Sequence, residues 1–338
     1  MENHPYLRFL IAGKLSRDYL ILPDGHVAAD IPGGSLLYAA AGLGVWDIHA
    51  GLIGRVGEDY PLEWLETFEK RGFDTRGVYR MAGSLDLRYF SAYTAEGQAL
   101  TTDPVAHFSR LGQSFPKSLL GYAVPAPQID SRTQASPITI RINEIPEDYF
   151  SASAAHLCPL DFLTHTLLPP SLRSGQVNII TLDPSAGYMN PTFWDDIPLV
   201  VSGLTAFISS EEKVRSLFHG RSTDLWEMAE ALASYGCDHI VIQRGTEGVY
   251  LYDRSRDQRR VIPAYPVRMK DPTGAADAYC GGFLVGYRNT YDAFEACLFA
   301  GVSASFVIEG TGPAYALEAY PPLAQARYHA LKDMARRV

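Results

Sequence analysis

The sequence predicts an α/β fold in which helices cover both faces of a mostly parallel sheet. Short apolar runs bounded by turn residues, typical of buried strands, alternate along the chain with segments of helical periodicity. The clearest strand-like runs are 7–13, 48–54, 178–184 and 239–243. Because ligands of such sheets bind at the carboxyl ends of the strands, residues that follow the strands are the first candidates for a functional site.

Length, charge and composition indicate an ordinary globular protein. The 338 residues suffice for one large α/β domain, and we expect a single domain over residues 1–338. The net charge is −9 and there is no long basic run, so nucleic acid and anionic membranes are not expected as partners. A polar N-terminus, no apolar stretch of membrane-spanning length and four scattered cysteines favour a cytoplasmic protein with buried free thiols.

The remaining elements follow from periodicity and turn residues. In the N-terminal half we expect an edge strand near 19–23, a helix at 36–44, a helix at 61–72 that buries Leu62, Leu65 and Phe68, and a strand at 87–93. Residues 101–150 predict loops, apart from a strand at 137–142. The C-terminal half predicts strands at 154–159, 204–208 and 249–252, and a helix at 224–233 that Gly236 ends.

The strongest chemical signal is the stretch 270–279, which follows an extended segment, 261–269, and precedes an apolar run of small residues. The pattern predicts a strand, a tight turn at Gly274 and a helix. The unpaired amides of residues 274–277 would form an anion site at the helix N-terminus, beside the carboxylate of Asp277. Phosphoryl transfer to a hydroxyl needs such a pair of features, whereas the alternative is an ordinary capped helix start.

Residues 271–277, Asp-Pro-Thr-Gly-Ala-Ala-Asp, resemble the C-terminal signature of the ribokinase (PfkB) family of carbohydrate kinases. A second resemblance, at 32–35 and 51–59, occurs in the family's order. The resemblance implies a three-layer ribokinase-like fold with a small β lid, which we place at approximately 17–32 and 86–142. The likeness covers residues 101–150 poorly, so we interpret them as an elaborated lid or a subunit contact, and a homodimer formed through the lid is a further prediction.

The resemblance also implies roles for residues near the transferred group and the acceptor. Asp277 would be the general base, and the amides of Gly274, Ala275 and Ala276 would hold the phosphoryl group. The residues expected to bind the acceptor are Asp18, Gly33, Gly34, Tyr38 and Arg88. Tyr38 stands where the family has an asparagine that contacts substrate, so its ring either stacks on a sugar or base or belongs to the core of its helix.

A third group of residues corresponds to the nucleotide and cation sites of the family. Those expected to bind the nucleotide are Gly245, Gly248, Thr273, Gly274 and Ser303. Glu212 is the candidate magnesium-side carboxylate. The segment 310–312 falls where the family lines a potassium site with backbone carbonyls, so the cofactors implied are ATP, Mg²⁺ and, as an option, K⁺.

The function predicted from these observations is ATP-dependent phosphorylation of a hydroxyl on a small sugar-like substrate. One alternative is a nucleoside kinase of the same fold, with Tyr38 stacking on the base. The alternative from another class is a ligand-binding or regulatory protein that has lost catalysis. Three departures from the family pattern favour that alternative, namely Tyr38 and Ser209 in place of asparagine and Ala276 in place of glycine.

Overall fold

The computed structural model describes residues 7–125 and 129–337, so residues 1–6, 126–128 and 338 of the predicted domain and lid lie outside the described part. The strands are β1 Phe9–Ala12, β2 Ser16–Ile21, β3 Val27–Gly33, β4 Ala50–Val56, β5 Asp74–Arg80, β6 Arg88–Tyr93, β7 Ala99–Leu100, β8 Ala154–Leu157, β9 Ile179–Leu182, β10 Ala206–Ser210, β11 His239–Gln243, β12 Val249–Asp253, β13 Gln258–Ile262 and β14 Arg336–Arg337.

The helices are α1 Ser35–Gly44, α2 Glu66–Glu69, α3 Pro104–Arg110, α4 Phe162–Ser174, α5 Ile197–Val201, α6 Glu211–Leu217, α7 Leu225–Ser234, α8 Ala275–Thr290, α9 Ala293–Ile308 and α10 Pro321–Met334. In the described residues no helix combines the length and the apolar character that a membrane crossing requires.

The described residues form a ten-stranded sheet in the order β14-β13-β12-β11-β10-β9-β8-β1-β4-β5. From β5 to β11 all neighbouring strands are parallel, and β12, β13 and β14 extend one edge antiparallel. One apolar core packs α1, α8, α9 and α10 on one face, and a second packs α4 to α7 on the other. The predicted mostly parallel sheet between two helical layers is therefore confirmed, and the carboxyl ends of β1, β8, β9 and β10 meet at one edge.

A second sheet of four strands, in the order β3-β2-β6-β7, lies beside this edge in the described chain. Alternate residues of β2 and β6 form a small core of their own, which contains Tyr19, Ile21, Phe90 and Ala92. Because successive side chains of a strand point to opposite faces, Asp18 lies on the face away from that core. The strand expected near 19–23 is not an edge strand, since β2 pairs with both β3 and β6.

Three local predictions are wrong, and each has a physical reason. The strand expected at 137–142 is absent, because the carbonyls of Pro137 and Thr139 accept hydrogen bonds from the Arg55 guanidinium instead of pairing in a sheet. The helix expected at 61–72 shortens to a 3₁₀ turn and α2, and Leu62 is 39% exposed. The extended segment 261–269 leaves the sheet after β13, where prolines at 263 and 266 lack amide donors.

Candidate active site

The first turn of α8 forms the centre of the site. Gly274 precedes the helix in the left-handed conformation, with a φ of 73°, which glycine adopts without strain. In the described structure the amides of Gly274, Ala276 and Asp277 donate to no backbone carbonyl, whereas the Ala275 amide donates to the Pro272 carbonyl at 3.3 Å. The turn therefore offers three amides that no backbone carbonyl uses, one fewer than the sequence predicted, and the Asp277 amide faces its own carboxyl.

Asp277 lies in this same turn and its carboxyl is partly buried. Burial raises its pKa to about 7, and the negative charges of Asp183 and Asp18 act in the same direction. The ammonium of Lys213 opposes this shift. A carboxyl whose pKa lies near neutral pH is suited to accept a proton and to release it again.

Asp183 and Lys213 were missed by the sequence reasoning. Asp183 directly follows β9 and is buried, and Lys213 lies in the first turn of α6, which follows β10. The two side chains form an ion pair, and Lys213 also donates to the Pro184 carbonyl at 2.9 Å. Their position just after two parallel strands was the available signal, because these strand ends meet at the ligand-binding edge.

Asp18 lies on the second sheet and is 1% exposed. Its pKa is raised to about 7, mainly by burial, while a hydrogen bond from the Ser16 hydroxyl lowers it and the charge of Asp271 raises it. Gly33 of β3 is adjacent: a Cβ added there would lie 1.9 Å from an Asp18 carboxylate oxygen. The carboxylate therefore occupies the space that a side chain at position 33 would take.

We expect Gly33→Ala to lower kcat/KM by displacing the Asp18 carboxylate, with the larger effect on KM for the acceptor. Steady-state kinetics, with the melting temperature as a folding check, would measure this. Gly112→Ala is a suitable control, because a Cβ at Gly112 meets no heavy atom within 4 Å, although the positive φ of Gly112, which Gly33 does not share, adds backbone strain to the control. Unchanged acceptor kinetics in Gly33→Ala would show that the position of Asp18 does not matter.

The Tyr38 ring packs against Gly274, in the turn that precedes α8. Its side chain is 2% exposed, and a Cβ added to Gly274 would lie 2.0 Å from its ring. The α1 helix that carries it begins after Gly34, whose φ is 96°. The ring is thus packed against Gly274 at the start of α8, which favours the core alternative over stacking on a substrate. Its buried hydroxyl has no hydrogen-bond partner in the described chain.

Two substitutions of Tyr38 separate the ring from the hydroxyl. Tyr38→Phe should keep kcat within a few-fold and should not lower the melting temperature, because the hydroxyl is buried without a partner. Tyr38→Leu should lower kcat, because it removes the ring that holds Gly274 in place. A loss of kcat above tenfold in Tyr38→Phe would contradict this role and indicate that the hydroxyl contacts a ligand.

The second sheet is joined directly to the turn that precedes α8. The Thr273 hydroxyl donates to the Tyr93 hydroxyl of β6 at 2.9 Å, and the Thr273 amide donates to Asp271 Oδ1 at 2.9 Å. The other oxygen of Asp271, Oδ2, is buried and has no partner in the described chain. In the parallel register of β2 and β6, Asp18 pairs with Tyr89, whose ring is 38% exposed. An acidic and an aromatic side chain therefore lie side by side near the turn.

Residues expected on the nucleotide side lie at the ends of β10 and β11. Gly245 and Gly248, with φ values of 58° and 85°, shape the turn between β11 and β12. Glu212 is exposed in the first turn of α6. Its neighbour Glu211 forms ion pairs with Arg215 and Arg244, at 2.7 and 3.0 Å, and is therefore not available for another cation.

Two predicted residues lie outside the site. The Arg88 guanidinium donates hydrogen bonds to Asp86 and to the carbonyls of Ser118 and Leu120. It therefore connects β6 to the segment 118–120. Ser303 is fully buried, and its hydroxyl donates to the Gly42 carbonyl at 2.7 Å and accepts from the Trp46 indole. The structure thus assigns both side chains to internal contacts, which the local sequence does not reveal.

The chain is similar in sequence to known kinases. The family model described as pfkB family carbohydrate kinase matches residues 174–319. The chain is 27% identical over 286 residues to a cytidine kinase of Thermococcus kodakarensis, covering 83% of this chain and 88% of the relative. It is 25% identical over 327 residues to a 5-dehydro-2-deoxygluconokinase of Clostridium perfringens, covering 86% and 88%.

The fold is also similar to solved structures. A structure described as a putative ribokinase II of E. coli in complex with ATP and Mg²⁺ superposes with a TM-score of 0.66 at 15% identity, over 96% of this chain and 99% of that one. At this identity the likeness shows the ribokinase-like fold alone. Together with the family match over residues 174–319 and with relatives that are similar over most of its length, this fold supports the resemblance of the chain to the pfkB family of carbohydrate kinases.

Proposed function

We propose that the protein transfers the γ-phosphoryl group of ATP to a hydroxyl of a small sugar-like substrate. The observation that carries this proposal is the first turn of α8, where the Asp277 carboxyl, with a pKa of about 7, lies beside three free amides. Phosphoryl transfer depends mainly on positioning and on stabilising the charge of the transferred group, and this turn supplies both.

The residues of the turn have distinct roles in the transfer. Asp277 accepts the proton of the acceptor hydroxyl as that oxygen bonds to the γ-phosphorus. The bond between the γ-phosphorus and the bridging oxygen breaks at the same time, and ADP leaves with the electron pair. The amides of Gly274, Ala276 and Asp277 donate hydrogen bonds to the oxygens of the transferred phosphoryl group. They can do so because they donate to no backbone carbonyl.

Asp18 binds the acceptor in this proposal. Its two carboxylate oxygens suit two neighbouring hydroxyls, and its buried position strengthens those hydrogen bonds. A nucleoside is a second candidate acceptor, because the partly exposed ring of Tyr89 lies beside Asp18 and offers a surface for a base. The similarity to a cytidine kinase supports the nucleoside, and the similarity to a 5-dehydro-2-deoxygluconokinase supports a sugar acid.

The described residues fit a magnesium ion that is held mainly by phosphate oxygens and water. Among them no group of three or more His, Cys, Asp or Glu side chains could hold a metal ion by itself, and Glu212, exposed after β10, is the carboxylate that we propose on the magnesium side. When bound, magnesium would neutralise part of the negative charge of the phosphates. The unpartnered, buried Asp271 Oδ2 fits a monovalent cation such as K⁺, held together with carbonyls of the segment 310–312.

The second sheet is proposed as the lid over the acceptor. The hydrogen bond between Thr273 and Tyr93 supports this, because it joins the sheet to the catalytic turn. Within the predicted lid segments, β2, β3, β6 and β7 supply its strands and α3 packs beneath them. A homodimer formed through this lid and a cytoplasmic location remain predictions.

An ADP-release assay with MgATP tests the proposed function. The acceptor panel comprises nucleosides, sugar acids, neutral sugars and polyols, and Asp277→Asn serves as the blank. ADP release that depends on an acceptor, and that occurs with the wild-type protein but not with Asp277→Asn, would support the kinase function. Binding of an acceptor without ADP release in either protein would favour the ligand-binding alternative.

A further inference from the structure

A lysine that the family resemblance does not assign, Lys14, follows β1 and faces the site. Its backbone is fixed to the start of α1, since the Lys14 amide donates to the Ser35 hydroxyl at 3.2 Å and its carbonyl accepts from the Leu36 amide at 3.0 Å. The side chain therefore leaves the main sheet at the carboxyl end of β1, the edge where the catalytic turn lies.

The Lys14 ammonium is partly buried and has no ion pair. In the part of the chain that the structure describes, no carboxylate oxygen lies within 4 Å of it, and it donates no hydrogen bond to the protein. The nearby acids are already engaged: Asp130 accepts from the Phe162 amide at 2.9 Å, and Asp161 caps α4 by accepting from the Thr164 amide at 3.1 Å. Three N–H donors are therefore unused in a site where desolvation is costly.

Charged groups of several elements act on this ammonium. Burial lowers the pKa of Lys14, the charges of Asp130, Asp161 and Asp277 raise it, and Lys213 lowers it. The group thus interacts both with the general base and with the other lysine of the site. Because Lys213 already donates to Asp183 and to the Pro184 carbonyl, it keeps one N–H donor, whereas Lys14 keeps all three.

We propose that the Lys14 ammonium binds oxygens of the phosphoryl group as it passes from ATP to the acceptor hydroxyl. This rests on the proposed function. The transferred group carries negative charge spread over its oxygens, and a compact cation at the same strand-end edge as the α8 amides stabilises that charge. No bond forms or breaks at Lys14. Its catalytic role is to contact the phosphoryl oxygens and to stabilise their negative charge. An acceptor carboxylate is the competing ligand.

Kinetics of Lys14→Met against one neutral and one acidic acceptor distinguish these ligands. We expect kcat to fall roughly a hundredfold with both acceptors, as when one donor to a developing anion is removed, while KM for the neutral acceptor changes little. Lys14→Arg, which keeps the charge, should recover part of kcat. Lys70→Met is the matched control, because Lys70 is exposed and pairs with Glu66 on the surface.

Two kinetic outcomes would overturn the proposal. Wild-type kcat in Lys14→Met would show that the ammonium contacts no reacting group. A loss confined to the acidic acceptor and expressed in KM would show that Lys14 binds a substrate carboxylate instead. The melting temperature of each variant, measured beforehand, ensures that only folded protein is compared.

A binding measurement keeps this test independent of turnover. With MgADP present, inorganic phosphate should raise the melting temperature of the wild-type protein and of Lys70→Met, but not that of Lys14→Met. An equal phosphate effect in wild type and Lys14→Met would reject the Lys14 site whether or not the protein is a kinase. A phosphate effect that depends on Lys14, in a protein that releases no ADP with any acceptor, would reject the kinase function and retain the anion site.

Discussion

Asp277→Asn is expected to lower kcat by about a hundredfold or more, the scale for removing a general base, while the affinity for MgATP stays close to that of the wild type. Asparagine keeps the size of the side chain and its place at the start of α8, but it cannot accept the hydroxyl proton. Single-turnover kinetics and nucleotide binding would measure the two quantities separately.

The matched control is Asp224→Asn, which makes the same change at the N-terminus of α7. There the Asp224 carboxylate accepts from the amides of Trp226 and Glu227 on an exposed surface. We expect this variant to have wild-type kcat. Turnover by Asp277→Asn at the wild-type rate would show that Asp277 only caps its helix, and the mechanism would fail.

The pKa of Asp277 gives this prediction a pH dependence. Because the folded-state pKa is raised from 3.8 to about 7, ionising this carboxyl destabilises the folded protein. The cost is absent below about pH 4, grows as pH rises towards 7 and is fully present above it. Asp277→Asn should therefore melt at a higher temperature than the wild type at pH 8, with a smaller difference at pH 5. The wild-type kcat/KM should fall as pH drops below about 7, because the base becomes protonated.

Asp18→Asn is expected to lower kcat/KM by roughly a hundredfold, which corresponds to about 3 kcal/mol lost from hydrogen bonds to a charged acceptor. The loss should lie mainly in KM, because Asp18 holds the acceptor and does not take its proton. Steady-state kinetics with the best acceptor of the panel would measure it. Unchanged KM would show that the acceptor binds elsewhere.

Ser16→Ala is the companion variant for Asp18. The Ser16 hydroxyl lowers the pKa of Asp18, so its removal should shift the ionisation of Asp18 to higher pH and leave the activity at high pH largely intact. In the wild type both carboxyls have pKa values near 7, so kcat/KM should fall as pH drops, with the uptake of up to two protons. Asp18→Asn should leave a single ionisation, at a lower pKa, because the charge of Asp18 no longer raises that of Asp277.

The sequence by itself determined the features that contiguous residues encode. The alternation of apolar and helical runs predicted the mostly parallel sheet between two helical layers. Residues 271–277 predicted a tight turn at Gly274, a helix start and a carboxylate in its first turn, because turn and capping preferences act over a few neighbouring residues. β3 was not expected, since the bulge at Asp30, with a φ of 56°, breaks the alternation that marks a strand.

Only the tertiary structure decided which side chains meet. Lys14, Asp183 and Lys213 follow three different strands, and the parallel sheet brings them to the same edge as Asp277. The sequence placed Arg88 and Ser303 in the site, but both have found internal hydrogen-bond partners. The pKa values of Asp18 and Asp277 depend on burial and on neighbouring charges from distant segments. Desolvation and Coulomb energies are set by distances in space, which local sequence patterns do not contain.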